Sequence, residues 1–310
     1  MTTAPSDGNL VPTIGDATVK GVVEAATRQL RERGDDTARL DAELLACEAF
    51  GITRVQVFTQ SARVLDAGEL GAFGALIARR MAHEPVAYIL GRAAFRDLDL
   101  HVDRRVLIPC PETELLVEWA NEFRERRGGE PAAGGGAGAV DVLDVGTGSG
   151  AIAIAVAHEA PPGSARVAAS DISDDALELA RRNAQAAGVE VAFHSGNLFE
   201  AVDGQQFDVV LSNPPYVRRD EADSLAPDVY RYEPHVALFV DGDDPQVLAR
   251  LLTDGARQVL RPGGLLAIEI GHEQADAVTD IFRAAGFADV EARSDLQGID
   301  RAIGGYWHGC

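Results

Sequence analysis

The chain has 310 residues, 46% of them hydrophobic and 25% charged, and a formal net charge of −21. That length exceeds an ordinary domain of about 100 to 200 residues, so two domains are expected, and no apolar run approaches the roughly 20 residues of a membrane span. The acidity argues against a surface that grips phosphate backbones, which needs clustered Lys and Arg; it leaves open plain solubility or attraction to a basic partner.

Residues 1–16 are polar and lack the basic and apolar blocks of a signal peptide, which predicts a cytoplasmic protein. The scattered Cys47, Cys110 and Cys310 form no C-x-x-C clip, fit a reducing compartment and predict no metal. Apolar residues at helical spacing predict helices over 19–33, 40–50 and 67–82, the last with Asp66 as N-cap. Residues 94–100 and 102–108 read as two short extended segments, closed by Pro109 and Pro111 before a helical run over 112–127. The stretch 128–139, with Gly134, Gly135 and Gly136, has nothing to bury and is expected to be a flexible loop.

From Val140 the pattern changes to strand 140–145, helix 152–158, strand 166–170 and helix 174–187. Strand-like segments follow at 189–193, 207–212 and 265–270, with helical segments at 245–260 and 273–285. Alternating β and α elements with apolar strands imply an α/β fold, a doubly wound parallel sheet covered by helices. Ligands of such sheets bind at the carboxyl ends of the strands. The expected organisation is a helical domain over 1–92, an extended hairpin connector over 93–111 and a catalytic domain over 112–310.

Between the first strand and its helix lie Gly146, Thr147, Gly148, Ser149 and Gly150, whose glycines permit a tight turn and close approach of a ligand to the backbone. About twenty residues on, Asp171 ends the next strand, where a carboxylate can accept from both ribose hydroxyls. The phosphate-side pattern G-x-G-x-x-G is missing, because Ala151 and Ile152 follow Gly150 directly. A nucleoside without phosphate, S-adenosyl-L-methionine, is therefore the expected cofactor. Asn197 and Leu198 follow the third strand; either they meet the adenine edge and ring, or they form a turn with a core Phe199. Asp144 is either a ligand for the methionine end or a brace for the turn.

The strand over 207–212 delivers Asn213, Pro214, Pro215 and Tyr216 to the same rim. An amide nitrogen is a poor nucleophile because its lone pair is delocalised into the carbonyl, so an enzyme must fix its geometry. The Asn213 side-chain oxygen and the Pro214 carbonyl can each accept one N–H of a target amide. The prolines pre-set the backbone, and Tyr216 offers a flat face for a planar group. Asn213 thus borders both cofactor and acceptor.

At these residues the sequence resembles the HemK/PrmC family of peptide chain release factor N5-glutamine methyltransferases. The resemblance covers nearly the whole chain, through Glu84-Pro85-Val86-Ala87-Tyr88-Ile89-Leu90-Gly91, Leu107-Ile108-Pro109, Pro111-Glu112-Thr113-Glu114, the glycine turn, Asp171-Ile172-Ser173, Ser212 to Tyr216, Glu233-Pro234, Arg261-Pro262-Gly263-Gly264 and Glu269-Ile270-Gly271-His272. It implies a seven-stranded, mostly parallel methyltransferase sheet whose single antiparallel strand lies within 299–307. It also implies that the substrate is the glutamine of the Gly-Gly-Gln loop in class I release factors, that the N-terminal helices hold that partner, and that no direct nucleic-acid contact is needed. Cys110 stands where the family usually has Arg, Asn197 where it has Asp, and the 128–139 loop and Arg218-Arg219 are atypical. Two alternatives share the amide pocket: a glutamine methyltransferase for a ribosomal protein, and an adenine N6-methyltransferase, which lacks here a basic recognition region.

Overall fold

The computed structural model describes residues 17–128, 138–240, 242 and 244–309. The polar leader and most of the glycine-rich loop expected over 128–139 lie outside them. The chain forms two compact units, one of residues up to Gly91 together with Pro227–Tyr232, the other of Arg92–Ala226 and Glu233 onward.

The first unit contains α1 (Val19–Arg33), α2 (Ala38–Phe50), α3 (Arg54–Thr59), α4 (Ala67–Met81) and α5 (Val86–Leu90). Caps set the helix starts: Asp66 accepts from Glu69 N while the Glu69 side chain accepts from Asp66 N, a reciprocal box at the start of α4. The apolar stripes of α1, α2 and α4 enclose Val19, Leu30, Leu45, Phe73 and Ile77. At one edge of this core Arg80 donates to Asp41 at 2.7 Å, both side chains buried. The short helix over Pro227–Tyr232 joins them, with Arg80 3.5 Å from Asp228 and the Tyr232 hydroxyl donating to Ala82 O at 3.0 Å.

The second unit opens with a hairpin of β1 (Arg92–Phe95) and β2 (Leu98–His101) and continues through a single 3-10 turn, Pro111–Thr113, into α6 (Glu114–Gly128). Both hairpin strands therefore end by His101, and the segment expected to be extended over 102–108 is not a strand. There a turn closes through Val106 N and Asp103 O, and Val102 and Val106 are buried four residues apart instead of in alternation.

Then come β3 (Val140–Val145), α7 (Ala151–Glu159), β4 (Ala165–Asp171), α8 (Asp174–Ala187), β5 (Ala192–Ser195) and β6 (Phe207–Ser212). With α9 (Pro227–Tyr232) assigned to the first unit, the second continues through α10 (His235–Leu238), α11 (Val247–Val259), β7 (Leu260–Glu269), α12 (Ala275–Ala284), β8 (Ala288–Ser294) and β9 (Asp300–Trp307). The sheet order is β5-β4-β3-β6-β7-β9-β8, parallel except for β9, which runs antiparallel to both neighbours. The seven-stranded sheet with one reversed strand is as expected.

Alternation along the central strands splits the core into two layers. Val142, Val167, Val209 and Leu265 face α6 and α7, where Trp119 is fully buried. Leu143, Ala168, Val210 and Leu266 face α11 and α12. Both faces being covered, the strands read as near-continuous apolar runs. Gly304 on β9 is required by this packing: a Cβ there would meet Trp119 Cη2 at 2.5 Å.

Candidate active site

β3 ends at Val145 and the chain turns through Gly146 to Gly150 into α7. Gly146 and Gly148 hold φ of +74° and +55° and face open space where a Cβ would stand. Left-handed backbone of this kind costs a residue with a Cβ about 1–2 kcal/mol. Gly150 instead faces inward, where a Cβ would lie 2.7 Å from Ile154 Cδ1. The turn is stitched to β4, with Gly146 N and Thr147 N donating to Ser170 O at 2.8 and 3.0 Å.

Asp144, fully buried, braces the turn from below: its Oδ2 accepts from Thr147 Oγ1 at 2.6 Å and Ala153 N at 3.3 Å. Burial pushes this carboxyl up to about 7, and the charge of Asp171 adds to the rise. Its Oδ1 is buried with no hydrogen-bond partner among the described residues. The Thr147 hydroxyl is committed to Asp144, and Ser149 is buried with its carbonyl accepting from Asn183 Nδ2 at 2.8 Å. The exposed part of the turn is thus the backbone at Gly146 and Gly148.

Asp171 closes β4 beside this turn. Its Oδ2 accepts from Gly148 N and its Oδ1 from Ser173 N, each at 2.9 Å. A carboxylate has about four lone-pair directions, so these bonds do not exhaust its capacity to accept. Burial raises its proton affinity against the backbone donors Ser173, Gly148 and Ile172. Ile172, next in the chain, is an exposed apolar side chain, 61% accessible. Beyond β5, Asn197 is exposed and Leu198 holds φ of +49°, its carbonyl accepting from Ser170 Oγ at 3.3 Å. Left-handed backbone at a branched residue is a local strain, and such strain collects at ligand sites. Phe199 packs on α11, where a Cβ at Gly255 would lie 2.2 Å from its ring.

β6 lies beside β3, with Val145 opposite Ser212, so Gly146 and Asn213 leave neighbouring strands side by side. Ser212 Oγ donates to Val145 O at 2.7 Å and locks that pairing. Asn213 Nδ2 donates to Thr113 Oγ1 at 3.2 Å, and Thr113 Oγ1 donates to Glu269 Oε2 at 2.5 Å. Glu269 ends β7 and is pushed up to about 7, by burial first and by Glu112, against bonds from Thr113 and Asn213 and the charge of Arg301. Pro214 is buried, and among the described residues nothing donates to its carbonyl. Burial, with Glu269 and Cys110 nearby, also pushes the Tyr216 hydroxyl up, so it stays neutral. The Tyr216 ring rests where a Cβ at Gly271 would be, 2.9 Å away, and Gln274 Nε2 donates to Tyr216 O at 3.3 Å while its Oε1 accepts from Gly271 N.

The expected residues of the glycine turn, Asp171, Asn197, Leu198 and Asn213 to Tyr216 all leave the carboxyl-terminal edge of one sheet. The reading of single residues missed the supports Thr113, Glu269, Gly271, Gln274 and Asn183. Only Glu269 carried a local signal, an acid within an otherwise apolar strand. Two segments of the family resemblance meet physically, because Ile108 N donates to Glu233 Oε2 at 3.3 Å. Cys110 sits among Glu269, Glu233 and Glu112; desolvation first, then these acids, push its thiol up to about 12, so it offers a neutral side chain where the family usually has a cation.

Comparison with known proteins gives two family matches, a PrmC N-terminal domain over residues 22–91 and a methyltransferase small domain over residues 137–229. The chain is 40% identical to the release factor glutamine methyltransferase of Geobacter sulfurreducens, covering 93% of this chain and 96% of that one. It is 43% identical to the protein of the same name from Burkholderia pseudomallei, over 86% and 91% of the two chains. Among solved structures, the catalytic domain of hMettl16 in complex with a MAT2A 3'UTR hairpin aligns with a TM-score of 0.52 at 14% identity, over 74% of this chain and 81% of that one, a likeness of fold alone.

Proposed function

Because the chain belongs to the family of release factor glutamine methyltransferases, and is by that membership a protein glutamine methyltransferase, we propose that it methylates the glutamine side-chain amide in the Gly-Gly-Gln motif of class I peptide chain release factors, with S-adenosyl-L-methionine as methyl donor. The single observation that carries the reading is the pairing of β3 with β6, which sets Asn213 beside the glycine turn.

The cleft fits this cofactor in three ways. Gly146 and Gly148 leave the space that a Cβ would fill, Asp144 Oδ1 is an orphaned buried acceptor suited to an ammonium group, and Asp171 keeps lone pairs for the ribose diol. Bound there, the sulfonium supplies an electrophilic methyl group. The chain's own residues supply the geometry. Asn213 Oδ1 and the Pro214 carbonyl each accept one N–H of the target amide and turn its nitrogen lone pair toward the methyl carbon. Tyr216 packs on the amide plane, held there by Gly271 and Gln274. The methylated amide nitrogen would be strongly acidic, and its extra proton would leave to water along the hydrogen bond to Asn213 Oδ1 or to the Pro214 carbonyl, so no side chain need act as an obligatory base. The N-terminal helices are the proposed holders of the protein partner, which supports a cytoplasmic site of action; among the described residues no helix is long and apolar enough to cross a membrane. A net charge of −21 disfavours a nucleic-acid substrate.

Mass spectrometry of purified release factors incubated with the enzyme and labelled adenosylmethionine tests this. One methyl mass should appear on the Gly-Gly-Gln peptide and vanish when that glutamine is replaced. Label that persists without the glutamine, or on ribosomal protein alone, overturns it.

A further inference from the structure

We infer that Glu269, acting through the Thr113 hydroxyl, is a positioning residue that selects which end of the Asn213 amide faces the substrate. The inference rests on the reading that the Asn213 oxygen receives the target amide.

The two ends of an Asn amide have nearly the same shape and opposite hydrogen-bonding sense, and the torsion that exchanges them is broad and roughly two-fold. Pro214 restrains the Asn213 backbone and leaves that torsion free. With the amide reversed, its NH2 group would meet the substrate N–H that Oδ1 is to accept, donor against donor, and no aimed nitrogen would result. Selection therefore has to come from behind. The Thr113 hydroxyl has one hydrogen and gives it to Glu269 Oε2 at 2.5 Å. Its lone pairs are then the only groups left for Asn213, and Nδ2 donates to them at 3.2 Å. Glu269 also bonds the Asn213 side chain itself. An ionised carboxyl is acceptor-only, so the sense of the whole chain follows from its charge. Thr113 and Glu269 are each 4% exposed, so water does not readily stand in for either.

The groups facing Glu269 are Thr113 and Glu112 from the turn before α6, Asn213 and Tyr216 after β6, Cys110, and Arg301 on β9. Tyr216 and Cys110 stay neutral. Glu112 opposes ionisation of Glu269, whereas Arg301, Thr113 and Asn213 favour it. A protonated Glu269 can donate, and the fixed sense is lost.

The test compares Thr113→Val, which keeps shape and removes both bonds, with Thr113→Ser, which keeps the hydroxyl, in the full-length enzyme. Readouts are adenosylmethionine affinity by calorimetry, kcat and its pH profile on a purified class I release factor, and a cycle with Asn213→Ala. Thr113→Val is expected to lower kcat about tenfold or more with cofactor affinity within about twofold, and Thr113→Ser to restore it. The acid limb of kcat should move to higher pH in Thr113→Val, because a bond favouring ionised Glu269 is gone, and should disappear in Glu269→Gln. Added to Asn213→Ala, Thr113→Val should cost nothing further. An undiminished kcat with an unmoved limb, or a full additional loss in the Asn213→Ala background, overturns the inference. Failure of the underlying reading looks different: Asn213→Ala alone would then turn over at the normal rate.

Discussion

At the scale of single residues, Asn213 and Asp171 separate chemistry from binding. Asn213→Ala removes an oriented acceptor and leaves a target N–H unpaired, a cost of about 1–3 kcal/mol. Single-turnover methylation at saturating cofactor should fall at least about tenfold, with cofactor affinity little changed. Asn213→Asp keeps an acceptor but loses the Nδ2 donor to Thr113 and sets a second carboxyl against Glu269. Two close acids resist joint ionisation, so this variant should also be slow near neutral pH. Asp171→Ala should weaken adenosylmethionine at least about tenfold by calorimetry, since bonds to a charged group are worth about 1.5–3 kcal/mol and the Gly148 N–H loses its acceptor as well. Asn213 and Asp171 were legible as strand-end residues because each belongs to a short local motif. Thr113 was not: its partners stand 100 and 156 residues away, and no spacing rule spans such separations.

At the scale of elements, the buried parallel strands were the easiest to read, because an apolar run between turn residues has few other uses; 140–145 and 207–212 coincide with β3 and β6. The edges were harder. β5 falls later than the expected 189–193, and β8 alternates half-buried with exposed residues and offers little apolar pattern, so it went unread. The hairpin was misplaced because Arg96 takes φ of +56° at its tip, a conformation that no turn residue announces there. Packing also gives an element-scale prediction. An Ala in place of Gly255 would ordinarily stabilise the middle of α11, yet its Cβ would strike the Phe199 ring. Gly255→Ala should therefore shift the segment that carries Asn197 and Leu198, and lower cofactor affinity in calorimetry more than it lowers the melting temperature.

At the scale of the whole molecule, the cleft makes stability depend on pH. The carboxyls of Asp144 and Glu269 rise to about 7 from ordinary values of 3.8 and 4.5. The native state therefore keeps protons that the unfolded chain releases from about pH 4 upward, and the stability so gained is lost as pH climbs through about 7. Paired carboxylates such as Asp141, Asp103 and Glu122 are held below their ordinary values and act in the opposite sense, but only at lower pH. His83, whose proton affinity burial lowers, opposes the trend near its own range. The Tm difference between the wild type and Asp144→Asn isolates the carboxyl: the wild type should lose more Tm between about pH 5 and 7.5, and parallel curves would refute this. The matched helical domain was legible as a block of amphipathic helices, whereas nothing local marks Pro227–Tyr232 as a partner of Ala82, 150 residues earlier.

That late contribution has a consequence for how the protein is made. A ribosome releases residues in order, so the helices ending at Leu90 emerge long before the helix over Pro227–Tyr232 that completes their unit. At about 5–20 residues per second the wait is on the order of ten seconds, far longer than helices need to form and collapse. During that interval Arg80 already has Asp41 and Asp35 as partners, so this buried guanidinium does not wait for its counter-charge while Asp228 is still being synthesised.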